Sequence, residues 1–124
     1  MVQNGETVGC SLFTLDAANR RVEIGNTYLH PSVRGGRANP DAKRAMLAHA
    51  FDGGAHCVQF RVDALNLRSR AAVKKLGAHE DGLLRADRIT WTGRVRDTVV
   101  FSILHEEWPM VRDKLDARLA ALSA

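Results

Sequence analysis

Two periodicities divide the chain. Residues 56–64, "HCVQFRVDA", alternate Val58, Phe60 and Val62 against Gln59, Arg61 and Asp63, which predicts a strand with one apolar face. Residues 7–15, "TVGCSLFTL", run through "DAANRR" into residues 21–29, "RVEIGNTYL". Both runs are rich in β-branched and apolar types, so they predict a hairpin, which His30-Pro31 ends because proline cannot donate to a ladder. The period then changes. In "PDAKRAMLAHAF", Ala42, Met46, Leu47, Ala50 and Phe51 recur at helical spacing, with Asn39 placed to cap, Pro40 in the first turn, Asp41 at the positive end of the dipole and Gly53-Gly54 as the stop. Residues 66–76, "NLRSRAAVKKL", predict a short helix capped by Asn66 and closed by a left-handed Gly77. Strands are expected at about 79–89 and 95–104, separated by "TWTGR" with Gly93 marking the turn. Over 106–122, Trp108, Val111, Leu115, Leu119 and Leu122 step by three and four, as on an amphipathic helix docked on the sheet.

The order is strand, strand, helix, strand, helix, strand, strand, helix, without repeat, linker or low-complexity tract. A central strand–helix–strand implies a parallel crossover, and the flanking hairpins imply antiparallel pairing. The expected fold is therefore α/β (α+β), with a mixed, mostly antiparallel central sheet in a single domain over residues 1–124.

Composition narrows the function. A chain of 124 residues with 45% hydrophobic and 26% charged positions is an ordinary globular domain, and no apolar run approaches membrane-span length. The N-terminus, "MVQNGETVGC", carries no export pattern, so a soluble, cytoplasmic protein is expected, with Cys10 and Cys57 as buried, reduced thiols. The net charge of +4 favours an anionic partner. Its arginines and lysines gather at 34–44, 61–75 and 85–96 with no interleaved aromatics to stack bases, which favours a phosphorylated small ligand over nucleic acid. The histidines, at 30, 49, 56, 79 and 105, show no metal-ligand spacing, so no metal is expected.

Three segments, in order, carry a resemblance: "EIGNTYLHPSVRGGRANPDAKRAML", "VDALNLRSRAAVKKLGAHEDGLLR" and "GRVRDTVVFSILHEEWP". Together they resemble the GCN5-related N-acetyltransferase (GNAT) family, and within it the ribosomal-protein acetyltransferase-like branch (RimJ/RimL-type), over roughly residues 7–110. The resemblance implies an acetyl-CoA-dependent N-acetyltransferase that acetylates a primary amine, either a protein N-terminus or a small molecule. In the family fold a strand and two helices precede the hairpin, whereas Met1 here stands almost at the hairpin, so the resemblance implies an N-terminally shortened member. A sheet of that kind is expected to leave an edge and an apolar face for a second copy to cover, as a homodimer.

The resemblance also assigns residues. The family loop Gln/Arg-x-x-Gly-x-Gly/Ala holds the pyrophosphate of acetyl-CoA on backbone N–H groups and a helix N-terminus. On that pattern the contacts fall to Arg34, Gly35, Gly36, Arg37, Ala38 and Asn39, with Arg37 where glycine is expected and Asn39 where glycine or alanine is expected. Read locally, the same stretch is a basic turn that caps a helix. In "NLRSRAAVKKLGA", Asn66, Ser69 and Arg70 would flank the pantetheine arm. Many members carry tyrosine at the position of Val73, which leaves Ser69 to hydrogen-bond the departing sulfur; the bland alternative is a cap and a first-turn hydroxyl. Glu23 takes the position of the general base, the alternative being an edge-strand partner for Arg20 or Arg21. Backbone N–H groups at Tyr28 and Leu29 would polarise the thioester carbonyl if the strand splays there. Arg96 and Asp97 are expected in cross-strand pairs, the alternative being that they face the acceptor pocket; His30 is expected at the surface, and Tyr28 and Trp91 in the core or at its rim. A second function also fits the residues: a catalytically silent CoA-binding interaction or regulatory module. A nucleic-acid-binding protein rests on charge alone.

Overall fold

The computed structural model describes residues 2–3, 6–7, 9–34 and 36–122, with the side chains of 2–3, 9–10, 12, 26–29 and 33 outside that description. In chain order the elements are β1 (Val2–Gln3), β2 (Glu6–Thr7), β3 (Gly9–Asp16), β4 (Arg21–Leu29), α1 (Ala38–Asp52), β5 (Cys57–Asp63), α2 (Leu67–Leu76), β6 (His79–Ile89), β7 (Val95–Leu104) and α3 (Trp108–Leu122). Short 3-10 turns stand at Pro31–Val33 and His105–Glu107. β1 and β2 form a small hairpin of their own, so the strand expected from residue 7 is divided between β2 and β3.

The main sheet has the order β3-β4-β5-β7-β6. Its single parallel pair is β4 with β5, and the remaining neighbours are antiparallel, as the crossover and hairpins require. β5 lies in the middle. Its alternation survives folding: Val58, Phe60 and Val62 are buried while Gln59, Arg61 and Asp63 are half-buried. Directly paired with it on β7 are Ile103, Phe101 and Val99, on the same face.

All three helices pack on that face. Val22 and Ile24 of β4, Leu47, Ala50 and Phe51 of α1, Val73 and Leu76 of α2, and Trp108, Val111 and Leu115 of α3 belong to one buried cluster with the sheet residues. Phe51 stacks on Trp108 with centroids 5.5 Å apart, and Arg44 reaches from α1 over the same indole to Asp116 at 3.0 Å. The opposite sheet face carries Glu23, Gln59, Arg61, Asp63, Thr98 and Ser102 by register. Val100, paired with Arg61, and Leu84, paired with Thr98 and 40% exposed, stand on the same side, so that face is mixed rather than the apolar one expected.

Several local expectations change. The helix after the basic loop starts at Ala38, because the Asp41 N–H already bonds the Arg37 carbonyl at 2.8 Å. Arg37 thus takes the cap position, and Asn39 lies inside the first turn with a buried, unpartnered Oδ1 instead of capping it. Asn66, by contrast, caps as expected, its Oδ1 accepting from the Ser69 N–H at 3.1 Å. Cys57 is a free, half-buried thiol, held above its ordinary pKa chiefly by burial; the Cys10 side chain lies outside the described residues. Trp91 sits in the β6–β7 turn and is 98% exposed, in neither core nor rim.

One polar residue enters the helix-covered side. Lys43 is only 3% exposed on the buried side of α1, in the row that continues with Leu47, Ala50 and Phe51. Its Nζ donates to Ser11 Oγ at 3.1 Å, and that hydroxyl donates to the Gly25 carbonyl at 3.3 Å. Burial lowers the ammonium pKa from 10.5 to about 8.

Two outcomes follow for stability. The unfolded chain keeps the Lys43 proton to higher pH than the folded one, so wild-type stability should climb relative to Lys43→Met as pH rises from about 8 towards 10.5. The full span is about 3 kcal/mol at 1.36 kcal/mol per unit, and a pH-independent difference in urea unfolding contradicts the buried ammonium. Gly77 holds φ +102°, and an added Cβ would lie 3.3 Å from Val111 Cγ2. Gly77→Ala should cost about 1–3 kcal/mol in the same assay; an unchanged midpoint contradicts the left-handed cap.

Candidate active site

Parallel neighbours bring their carboxyl ends to the same side of a sheet, and each crossover helix starts there. The N-termini of α1 and α2 therefore emerge beside one another, past the ends of β4 and β5. Those two strands then part. Among the described residues their pairing runs from Arg21 with Cys57 to Ile24 with Phe60 and stops, although β4 continues to Leu29 and β5 to Asp63. On its other side β4 is bulged: three steps from Gly25 to Tyr28 match two on β3, from Leu12 to Cys10. The β4–β5 ladder thus ends before Tyr28 and Leu29, which lie on the arm of β4 beyond it.

The loop from β4 to α1 begins with His30, whose Nδ1 accepts from the Ser32 N–H at 3.2 Å and sits 2.8 Å from Ser32 Oγ. His30 is a surface residue that shapes the turn. Arg34 and Gly36 are exposed, Arg37 is half-buried with its guanidinium 3.8 Å from Asp41, and Ala38 is the first residue of α1. Gly35 lies outside the described residues. The first-turn N–H groups of a helix point out of its N-terminus, though Pro40 contributes none. Two arginines and that helix end make a setting that fits a diphosphate.

At the second helix, Asn66 is exposed and Ser69 half-buried in the first turn. Arg70 is turned back on the chain, donating to the Ala64 carbonyl at 3.0 Å and standing 3.9 Å from Glu80. It ties α2 to the end of β5 and the start of β6. Val73, at the family's tyrosine position, is buried in the core.

Glu23 lies one residue before the last parallel pair, between Thr14 of β3 and Gln59 of β5. It is not on an edge strand, and its partner is neither Arg20 nor Arg21. Arg21 pairs with Asp16 at 3.1 Å, while the Glu23 carboxylate is 3.7 Å from Arg61 Nε, both side chains about one-third exposed. A long, partly solvated contact of this kind binds weakly.

Beyond Arg61 the charged face continues. Thr98 is fully buried, donates to Asp87 at 2.8 Å and accepts from Arg96 at 3.1 Å. The Thr98 hydroxyl is the first cause of the lowered Asp87 pKa, and the Leu65 N–H that of Asp63, which also pairs with Arg94. Asp97 points the other way and accepts from the Ala86 N–H at 2.8 Å. An open hollow of about 740 Å³ follows Leu83–Asp87, where β6 is bulged. Sequence reading missed Arg61, Asp87 and Thr98 as neighbours of the site. Their only signal was alternation within each strand, which does not say which strands become neighbours.

A family model described as an acetyltransferase (GNAT) domain matches residues 1–79. No curated protein matches the chain. Among solved structures, one acetyltransferase candidate is 41% identical with a TM-score of 0.88, over 94% of this chain and 62% of that one. A GCN5-related N-acetyltransferase from Brucella melitensis is 30% identical with a TM-score of 0.88, over 93% of this chain and 52% of its own. Mycobacterium smegmatis RimJ, solved in complex with CoA-disulfide, is 28% identical with a TM-score of 0.80, over 93% and 56%. The chain thus spans between about half and just over three-fifths of these relatives' lengths. Because the matched residues include the forked strands, the loop between them and both crossover helices, the site lies inside the family's own pattern, and the chain belongs to the GNAT acetyltransferase family.

Proposed function

We propose that this chain is an acetyl-CoA-dependent N-acetyltransferase acting on a primary amine, a protein N-terminus or a small molecule. The observation that carries the reading is the fork of β4 and β5, with the N-termini of α1 and α2 at its mouth and Glu23 at its base. The fold's similarity to a RimJ solved in complex with CoA-disulfide supports a CoA ligand.

In this reading Arg34, Arg37 and the N–H groups at Gly36, Ala38 and Asn39 hold the diphosphate, and Gly35 belongs to the same loop by sequence. Asn66, Ser69 and the first turn of α2 line the pantetheine arm, with Arg70 fixing that helix in place. Acetyl-CoA supplies the activated acyl group. The acceptor must arrive as a neutral amine, and Glu23 takes its proton directly or through one water. Of the main-chain N–H groups at Tyr28 and Leu29, the one that faces away from β3, beyond the end of the β4–β5 ladder, polarises the carbonyl. Ser69 donates to the departing sulfur; its own proton is too tightly held for it to act as an efficient acid.

A second reading is a CoA-binding module without turnover. It is favoured by the burial of Val73, which places an alkyl group where many relatives carry a hydroxyl, and by the engagement of Arg37 with Asp41.

The two readings separate on Glu23. In a thiol-release assay over a panel of amines, Glu23→Gln should lower kcat by roughly 10²–10⁴-fold while acetyl-CoA affinity measured by calorimetry stays within about twofold. Binding without turnover in the wild type selects the silent module, and full activity of the variant removes Glu23 as the base. For the loop, the double change Arg34→Ala and Arg37→Ala should weaken acetyl-CoA binding by about tenfold or more and flatten its dependence on salt. Unchanged affinity would place the diphosphate elsewhere.

A further inference from the structure

The buried side of α1 changes character along its length. Leu47, Ala50 and Phe51 complete an apolar row over the sheet, yet the position one turn earlier is Lys43 and the one before that Asn39. Both polar residues therefore lie at the end of the helix nearest the fork. Removing an ammonium from water costs several kcal/mol, and a methionine of similar length would extend the apolar row without that cost. A lysine at 3% exposure must be doing something that methionine would not.

What it touches is the bulge. Ser11 lies on β3 between Cys10 and Leu12, where the register with β4 shifts, so it faces the extra residue of β4. Its hydroxyl donates to the carbonyl of Gly25, the residue at which β4 leaves the regular ladder, and receives the hydrogen bond from Lys43. A charged donor polarises the hydroxyl and strengthens the bond it passes on. The chain from Nζ to Oγ to the carbonyl thus links α1, whose first turn follows the loop, to the strand arm that carries Tyr28 and Leu29. No cofactor atom is needed for it to form.

We infer that Lys43 is a positioning residue for acyl transfer: through Ser11 it fixes the Gly25 end of the β4 bulge and so aims the main-chain groups of the splayed arm at the acyl donor. This inference rests on the reading of the fork as the acetyl-CoA site. It assigns Ser11 and Lys43 one shared role, which a double-mutant cycle can detect.

The test uses the whole chain, with acetyl-CoA as titrant and amide hydrogen exchange without ligand as a second readout. Lys43→Met and Ser11→Ala should each weaken acetyl-CoA binding, the former about tenfold, and the double variant should be no weaker than the worse single one. Without ligand, Lys43→Met should speed exchange at residues 25–29 while its unfolding midpoint at pH 7 stays at or above that of the wild type, a combination that a merely structural lysine does not give. Wild-type affinity in both single variants, effects that multiply in the double variant, or unchanged exchange at 25–29 overturns the inference while leaving the site intact. Should Lys43→Met fail to fold, Ser11→Ala alone decides by the same affinity and exchange readouts. A wild type that ignores acetyl-CoA overturns the functional reading and this inference together.

Discussion

A parallel ladder that stops halfway governs this structure. β4 and β5 share hydrogen bonds from Arg21 with Cys57 to Ile24 with Phe60, and beyond that point each strand continues without the other. Unpaired backbone groups in a sheet interior are costly unless they meet a partner. The molecule handles part of that cost itself: the bulge turns β4 against β3, Ser11 takes the Gly25 carbonyl, and Lys43 backs Ser11 from beneath. The rest is available to a ligand. An extended molecule with amides along its length and a diphosphate at one end suits an opening edged by strand N–H groups and closed by two helix N-termini.

The same constraint sets the two faces of the sheet. On the helix-covered face, Phe60 against Phe101 and Val58 against Ile103 form the packed centre onto which α1, α2 and α3 settle. On the other face, Glu23, Arg61 and the Thr98–Asp87 pair form a partly hydrated charged surface. In the proposed acetyl transfer the packed face would supply the immobile backbone for the donor, and the charged face the carboxylates near water for the acceptor amine. Glu23 stands on that charged face, one residue short of the fork.

Local chemistry was legible in the sequence to the extent that it is local. The alternation of β5, the Asn66 cap and the left-handed Gly77 were each readable because neighbours within four residues determine them. Asn39 was misread as a cap because Arg37 and Asp41 close the first helical bond two residues earlier than Pro40 suggests. For Glu23 an edge-strand pairing with Arg20 or Arg21 stayed open in the sequence; its place inside the sheet and its Arg61 partner depend on the β4–β5 register, which no stretch of sequence displays. Lys43 was counted in the basic cluster at 34–44, because nothing within the helix separates it from its charged neighbours. Its burial follows from where α1 crosses the bulge, a long-range fact. The apolar open face was inferred from what relatives carry before the hairpin; the register instead sets Val100 and Leu84 among charged residues there, a mixed face.

Amide hydrogen exchange on the wild-type chain, with and without saturating acetyl-CoA, addresses the fork as a ligand site most directly. The structure predicts slowed exchange at three separated stretches, 26–29 on the splayed arm, 36–39 at the start of α1 and 67–70 at the start of α2, with β6 and β7 unchanged. Protection confined to any other part of the sheet, or no protection at millimolar ligand, would contradict it.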